Sequence, residues 1–314
     1  MRAIRLSILL LLALTAPFVF YPTFLMKALC FGLFAAAFNL LIGFGGLLSF
    51  GHAAFMGSAS YITAYSVKVW GFPPLLGILT GTAAAAIMGW VFALLAIRRK
   101  GIYFAMVTLA LSQMVHFIAV EAKFTGGEDG IQAVPRGTLF GLIDLSQPLA
   151  MYYFVLAIFL IGFGIIYRTI HSPFGEVLKA IRDNEPRAIS LGYDADRYKI
   201  LAFTLSATLA GLAGATKSLV FQLASLTDVT WQMSGDVVLM TLIGGMGTIW
   251  GPVAGAFILV TMENYLVQLG SWVTVIEGVI FVVCVLLFRR GVVGEINYLL
   301  ARWRFGVAAG ERKP

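Results

Sequence analysis

Charged residues are scarce in this 314-residue chain: Asp, Glu, Lys and Arg make up 12% of it, whereas hydrophobic residues make up 60%. Soluble domains carry about 25% charged residues, so half that density cannot cover the surface of a globule of this size. Several apolar runs approach the roughly 20 residues that a spanning helix needs. The same composition excludes an intrinsically disordered chain. The low charge and the long apolar runs therefore exclude an ordinary soluble enzyme and indicate an all-α, polytopic membrane protein.

Residues suited to covalent, metal or nucleotide chemistry are also few. The two cysteines, Cys30 and Cys284, lie in apolar runs away from any Cys or His at metal-ligand spacing, and the three histidines are scattered. We expect free thiols, without a disulfide framework or a zinc site. A P-loop needs a Gly-Lys pair, and the chain has none. We therefore expect no catalytic residue, no metal and no cofactor in this chain.

The apolar runs predict about ten transmembrane helices within a single domain, residues 1–314. These spans cover approximately residues 6–22, 24–43, 53–70, 73–97, 101–120, 149–168, 199–221, 236–248, 251–268 and 271–288. The eighth is too short for the hydrocarbon core unless it is tilted or broken. The first resembles a signal peptide, but no A-x-A cleavage site follows, so we interpret it as an anchor span.

Two spans carry small residues at every fourth position. The fourth has Gly77, Gly81, Ala85 and Gly89, and the seventh has Ser206, Ala210, Gly214 and Ser218. Small residues at this spacing let helix backbones approach closely in a membrane. We therefore expect both stripes to be helix-packing surfaces.

The basic residues predict the orientation. With the N-terminus in the cytoplasm, 17 of the 22 lysines and arginines fall on the cytoplasmic side, as the positive-inside rule requires. The formal charge of +7 is therefore a signal of topology, and we expect no nucleic-acid partner. In this arrangement residues 121–148 form an outer loop, residues 171–198 an inner loop and residues 289–314 a cytoplasmic tail. Both termini are expected on the cytoplasmic side of the plasma membrane, which is the inner membrane in a bacterium.

Two glycine-rich breaks interrupt the spans, one at residues 43–52 and one at 244–252. Each joins an inward-running span to an outward-running one. Non-helical backbone at membrane depth is tolerated where protein or water satisfies it, and paired breaks indicate a transport pathway. The candidate pathway residues are Gly45, Gly46, Ser49, Phe50, Gly51, His52, Gly244, Gly245 and Gly247. The alternative is a pair of tight inter-helix turns that never contact a substrate.

Ionisable side chains inside the spans are costly and need a reason. Lys217, Glu263, Glu277 and His116 fall in the outer thirds of their helices. We interpret the first three as an outer polar network in which Lys217 pairs with Glu263 or Glu277. The alternative is that they extend to the outer interface. A carboxylate at the midplane, as expected for an ion-coupled transporter, is missing from the pattern.

The residue pattern of the inner loop predicts two short helices. Ser172 is a good cap and Pro173 suits the first helical position. An apolar stripe follows, formed by Phe174, Val177, Leu178 and Ile181. Pro186 stops this helix, and a second runs from Pro186 to Leu191, where Gly192 can close it. Their mixed-charge face predicts a docking element on the cytoplasmic surface, and the alternative is a helix pair resting on lipid.

The segment GLLSFGHAAFMG, residues 46–57, resembles the signature of LivM-type permease subunits of branched-chain amino acid ABC importers. Other segments resemble that family at similar spacing: residues 172–175, 180–185, 191–192, 202–203, 210–215, 244–247 and 250–252. The resemblance runs in order from about residue 30 to residue 290. Its combination of segments is specific, whereas each segment alone is weak.

This resemblance implies a permease that moves Leu, Ile and Val into the cytoplasm by alternating access. It implies four kinds of partner: a second, LivH-like permease, two cytoplasmic ATPase subunits that hold ATP and Mg, a periplasmic or extracellular amino-acid-binding protein, and the lipid membrane. Alternatives are a permease for urea, amides or aromatic acids, an ion-coupled secondary transporter, and a membrane scaffold.

The resemblance also makes the inner loop the coupling element for the ATPases. The candidate coupling residues are Phe174, Gly175, Leu178, Arg182, Glu185, Ala188 and Gly192. ABC importers often carry the pattern E-A-A-x-x-x-G in this loop. Ala188 and Gly192 keep its second Ala and its Gly. Pro186 and Arg187 replace its first two residues, and the acid stands one residue early as Glu185.

Overall fold

The computed structural model describes residues 11–139, 141, 143–266, 275, 276, 278, 279, 282, 283, 286 and 291–295. Ten α-helices are numbered here in chain order: α1 Pro22–Asn39, α2 His52–Lys68, α3 Pro74–Ala96, α4 Ile102–Glu121, α5 Pro148–Ile170, α6 Pro173–Asp183, α7 Glu185–Ser190, α8 Ala195–Phe221, α9 Trp231–Gly244 and α10 Gly251–Leu266. Residues 11–15 are also helical. The all-α class is confirmed.

Among the described residues, five helices are long and apolar enough to cross a membrane: Pro22–Phe44, Pro74–Ala96, Ile102–Glu121, Pro148–Ile170 and Ala195–Phe221. Proline occupies a first-turn position in α1, α3 and α5, where its missing N–H costs nothing. Helix α2 has 17 residues, α10 has 16 and α9 has 14. At about 1.5 Å per residue α9 spans about 21 Å, less than the ~30 Å hydrocarbon core. The eighth predicted span is therefore short, as expected.

The second to seventh predicted spans each coincide with a helix to within a few residues, and so does the ninth. The eighth begins earlier than predicted, at Trp231, and ends at Gly244. The first was predicted to run to residue 22, but the helix gives way at Ala16–Phe18 to a tighter turn. Most of the tenth span and nearly all of the tail lie outside the described residues.

Helix α1 lies at the centre of the bundle, and 89% of its most apolar 18-residue stretch is buried. Helix α8 packs against α1, α2 and α3, and the small residues lie at these contacts. A Cβ added at Gly89 would meet Ala207, and one added at Gly211 would meet Ala85. Gly81 of α3 lies against Ala59 of α2, and Gly214 of α8 lies against Met56 of α2. Both stripes are therefore helix-packing surfaces, as expected, with dispersion acting over the short separation.

Two short strand pairs lie beyond one end of the helices, in segments predicted as loops. Strand β1 (Ile131–Gln132) pairs antiparallel with β4 (Leu223–Ala224), and β2 (Thr138–Leu139) pairs with β3 (Ile143–Asp144). The Arg136 guanidinium also donates to the Val220 carbonyl oxygen at 2.7 Å. Residues 121–148 therefore lie on the same face as the end of α8, as the predicted topology requires.

Candidate translocation site

The first break begins at the end of α1, which continues past Asn39 as a wider turn over Leu40–Phe44. Gly46 then adopts a φ of +69°, which glycine reaches without steric cost. The chain continues without regular secondary structure to α2. Gly45, Ser49, Gly51 and His52 are buried, whereas Gly46 is exposed and Phe50 is half-buried. The Phe50 amide donates to Thr108 Oγ1 of α4 at 3.1 Å.

The second break is a tight turn between α9 and α10. Gly245 has a φ of +115° and Gly247 a φ of +73°. Gly244 lies against the carbonyl of Gly251, so a side chain at residue 244 would collide with backbone. Helix α9 ends here because this turn needs left-handed backbone and a close approach that glycine permits.

Asn39 joins the two breaks. Its side chain is 2% exposed, its Nδ2 donates to the Thr248 carbonyl oxygen at 2.9 Å, and its Oδ1 accepts from the Gly247 amide at 3.0 Å. Gly43 packs beside Gly247 at the same point. The two breaks therefore form one joined unit on one side of the bundle. An Asn inside an apolar run was the signal for this residue, and the sequence analysis missed it.

His52 is fully buried and belongs to a polar chain that crosses three helices. The Ser206 hydroxyl donates to the Ala37 carbonyl oxygen at 2.5 Å and lies 2.8 Å from His52 Nε2. Since that hydroxyl proton is already used, Nε2 carries the imidazole proton and donates it to Ser206. The ring is packed by Phe38, with ring centroids 4.9 Å apart.

Helix α6 contacts the first break directly. The Arg182 guanidinium donates to the Gly43 carbonyl oxygen at 2.6 Å, and Leu178 packs beside Gly45. The aliphatic part of Arg182 covers Gly46. The inner loop and the first break, which are about 130 residues apart in the chain, therefore form one surface.

The inner loop has the two predicted helices. The Ser172 hydroxyl accepts from the Gly175 amide at 3.4 Å, and the Asn184 side chain caps α7 by accepting from the Arg187 amide at 3.1 Å. Helix α6 ends at Asp183, three residues before the proline, and Gly192 has a φ of +90°. Both helix positions are confirmed.

Several predicted coupling residues face inward. Gly175, Leu178 and Ala188 are buried, and Phe174 stacks on Tyr198 with ring centroids 5.4 Å apart. Ala188 packs with Ile181 and Ala195. These residues hold the two helices on the bundle, and their part in coupling to the ATPases stays a prediction. Their apolar character keeps the helices folded against the membrane domain.

Glu185 is held by two lysines. Its carboxylate lies 2.8 Å from Lys199 Nζ and 3.2 Å from Lys100 Nζ. Burial by itself raises the pKa of this carboxyl, but the hydrogen bonds and charges of Lys199 and Lys100 outweigh burial, so the pKa lies below its ordinary value. Glu185 therefore ties α7 to α8 and to the connection between α3 and α4.

The exposed apolar side chains of the loop lie around α7 and its end. Ile189 is 53% exposed, Leu191 70% and Tyr193 41%. The sequence analysis missed these three, because exposure depends on which face of α7 rests on the bundle. They form an apolar patch on the exposed surface of the inner loop.

The predicted outer polar network has different pairs. Lys217 pairs with Asp228, and Glu263 lies 2.7 Å from Lys27 Nζ. The expected pairing of Lys217 with Glu263 is therefore wrong, and Glu277 lies outside the described residues. The two lysines share the Phe31 ring, whose centroid is 5.5 Å from Lys217 Nζ and 5.8 Å from Lys27 Nζ. Two separate ion pairs beside one aromatic ring stand where the sequence predicted a single network.

Clusters of His, Cys, Asp or Glu able to hold a metal ion do not occur among the described residues. The site is a set of buried polar contacts and backbone breaks. Such an arrangement suits the passage and conformational control of a solute.

Comparison with known proteins identifies the class. The family model for the permease component of branched-chain amino acid transport systems matches residues 20–288. The permease protein LivM of Escherichia coli K12, from a high-affinity branched-chain amino acid transport system, is 27% identical over 302 residues, covering 87% of this chain and 70% of the relative.

Two other relatives are named as import permeases for different solutes. The ribose import permease protein RbsC of Bacillus subtilis is 28% identical over 276 residues, covering 82% of this chain and 81% of the relative. The autoinducer 2 import permease protein LsrC of Klebsiella pneumoniae is 30% identical over 178 residues, covering 52% and 48%. No solved structure matches the chain. The chain belongs to the branched-chain amino acid transport permease family and is a multi-pass membrane subunit of an ABC importer, not a catalytic subunit.

Proposed function

We propose that this permease carries Leu, Ile and Val into the cytoplasm by alternating access, driven by two ATPase subunits that bind the inner loop. It would work with a second, LivH-like permease and an external amino-acid-binding protein, in the plasma membrane with both termini inside. The Leu, Ile and Val assignment rests on the likeness to LivM proteins. The two glycine breaks would line the pathway or change conformation during transport. Their candidate residues are Gly45, Gly46, Ser49, Phe50, Gly51, His52, Gly244, Gly245 and Gly247.

The observation that carries this proposal is the contact between Arg182 and Gly43. A partner pressing on α7 displaces α6, since the two helices pack together, and α6 holds the first break through Arg182 and Leu178. Asn39 then passes the displacement to the second break. These contacts link the exposed surface of α7 to both breaks.

The docking test removes exposed apolar side chains of the inner loop. In Leu191→Ser and Ile189→Ser, we expect the purified permease pair to bind its ATPases about tenfold more weakly, because one buried leucine contributes about 1.5–3 kcal/mol. The matched control is Leu95→Ser, an exposed leucine of α3 that lies outside the loop. Equal affinity in all three variants would reject docking at α7.

The orientation is tested by cysteine labelling. With Cys30 and Cys284 replaced, single cysteines at residues 128 and 292 should react from opposite sides of the membrane, residue 128 from outside. Labelling of both residues from one side would contradict the topology.

The substrate is tested with the whole importer in liposomes. ATP-dependent uptake of labelled leucine, with little uptake of ribose or urea, is the expected result. The similarity to a ribose permease makes sugar uptake the specific rival. Ribose uptake without leucine uptake would assign this permease to sugars.

A further inference from the structure

Buried polar atoms without partners gather at one interface of the bundle. Among the described residues, seven buried side-chain oxygens or nitrogens have no hydrogen-bond partner. Five of them belong to α2, α4 and the turn Leu226–Val229, three elements that contact one another: Ser60 Oγ, Tyr61 Oη, Ser112 Oγ, His116 Nδ1 and Asp228 Oδ2. Each such atom costs about 1–3 kcal/mol, and native proteins keep few of them. This grouping needs a functional explanation.

The face of α2 toward the turn is defined by Gly57. A Cβ added there would lie 3.0 Å from the Asp228 carbonyl oxygen. Ser60 and Tyr61 stand three and four residues further along, so they flank the same face. The turn that carries Asp228 packs against this face of α2. Ser60, Tyr61 and Asp228 therefore surround one point of the interface.

Helix α4 brings its polar stripe to the same region. Thr108, Ser112 and His116 are four residues apart and share one side of the helix. Thr108 Oγ1 accepts from the Phe50 amide just before α2 begins. Both helices rise from that end, at about 1.5 Å per residue, so Ser112 and His116 lie progressively further along α2, toward Ser60.

Asp228 is the charged member of the cluster. It is 1% exposed, and its Oδ1 accepts from Lys217, whose side chain is 14% exposed. Its Oδ2 has no partner among the described residues. The pair is neutral overall, yet it presents one free acceptor beside a cation, which complements a molecule that carries both charges.

We propose that Ser60, Tyr61, Ser112, His116 and Asp228 form a substrate site on the translocation pathway that binds the polar end of an amino acid. Asp228 Oδ2 accepts from the ammonium group. The hydroxyl groups of Ser60, Tyr61 and Ser112 donate to the carboxylate. A zwitterion entering the membrane loses its water, and these atoms replace those hydrogen bonds. The inference rests on the proposed function and adds a site to it.

The test uses the complete importer in liposomes and counts leucine molecules moved per ATP hydrolysed, at saturating liganded binding protein. Tyr61→Phe and Ser112→Ala each remove one unpartnered hydroxyl. We expect the ratio to fall about fivefold, since one hydrogen bond to substrate is lost. The unfolding temperature in detergent should stay the same or rise, because a buried oxygen that lacked a partner has gone.

Matched controls are available for both variants. The Tyr152 hydroxyl donates to the Ala13 carbonyl oxygen at 2.6 Å, and the Ser218 hydroxyl donates to the Ala215 carbonyl oxygen of its own helix at 2.9 Å. Tyr152→Phe and Ser218→Ala should keep the ratio, and Tyr152→Phe should lower the unfolding temperature. If the cluster has only a structural role, the ratio of leucine to ATP and the unfolding temperature should change in the same way in the variants and in the controls.

The outcomes separate this site from the proposed function. Leucine uptake by the native importer with an unchanged ratio in Tyr61→Phe and Ser112→Ala would overturn the site alone. Absence of leucine uptake by the native importer would overturn the proposed function. Ribose uptake that these two variants reduce would overturn the assignment to an amino acid.

Discussion

The Arg182 guanidinium donates to the Gly43 carbonyl oxygen at 2.6 Å and also holds Asp183, with Nη2 2.8 Å from Oδ1. One side chain therefore joins the last residues of α6 to the wide final turn of α1. The Gly43 carbonyl is a natural acceptor because the widened turn leaves it outside the regular helical pattern. Movement of the inner loop cannot occur without moving this turn or breaking the bond.

Removal of this bond should uncouple the loop from the break. In Arg182→Ala we expect ATP-driven uptake to fall about tenfold, because a hydrogen bond to a charged group contributes about 1.5–3 kcal/mol. The measurement is uptake by the reconstituted importer, with ATPase binding measured in parallel. The control is Arg197→Ala, which removes an exposed ion pair with Asp194 of the same loop and should leave uptake unchanged. Equal losses in both variants would show that the Gly43 contact is unimportant.

Asn39 should stabilise the protein as well as join the breaks. In Asn39→Leu the Gly247 amide and the Thr248 carbonyl lose their partner, which should cost about 2–4 kcal/mol. Thermal unfolding in detergent measures this loss. Asn184→Ala removes an exposed helix cap and should cost only about 1 kcal/mol. An Asn39→Leu protein that unfolds at the native temperature would show that the bridge contributes nothing.

Two helix glycines should respond in opposite ways to alanine. Gly214 of α8 lies against the Met56 carbonyl, so a methyl group forces α2 and α8 apart, whereas Gly164 of α5 has open space around its Cα. We expect Gly214→Ala to destabilise by about 1–3 kcal/mol and Gly164→Ala to be neutral or stabilising by up to about 1 kcal/mol. Unfolding temperatures compared in one detergent decide this. Similar shifts in both variants would contradict the close α2–α8 contact.

The Glu185 cluster should make stability depend on pH. The pKa of this carboxyl is lower in the folded protein than in the unfolded chain, so its contribution is complete above the ordinary pKa and is lost as pH falls through the folded value. We expect the unfolding temperature to fall between about pH 6 and about pH 3, and to fall less in Glu185→Gln. The same pH profile in both proteins would reject this contribution.

Much of the helical framework could be predicted from local features of the sequence. Pro22, Pro74, Pro148 and Pro173 each begin or nearly begin a helix, and the apolar runs between them have spanning length. The short eighth span and the two loop helices also follow from local rules, because caps, prolines and glycines act within a few residues. The stripes of small residues in α3 and α8 were interpreted correctly for the same reason, because spacing alone places each stripe on one face of its helix.

The candidate site was predicted only in part. Both breaks were located, but Asn39, which joins them, was missed. Lys217 was assigned to Glu263 or Glu277, yet it pairs with Asp228, on a turn that packs against α2. The coupling residues were located along the chain, but the exposed set, Ile189, Leu191 and Tyr193, was missed. In each case the missing information was the distance between segments that are far apart in sequence.

The sequence by itself determined the membrane environment and the ends of most of the described helices, since hydropathy, proline and glycine act locally. The tertiary structure alone decided which polar groups meet: Asn39 with the second break, Arg182 with Gly43, Glu263 with Lys27, and the unpartnered groups around Asp228. A buried polar group takes its partner from whichever helix packs beside it. That choice depends on the packing of the whole bundle and not on the residues next to the group in the chain.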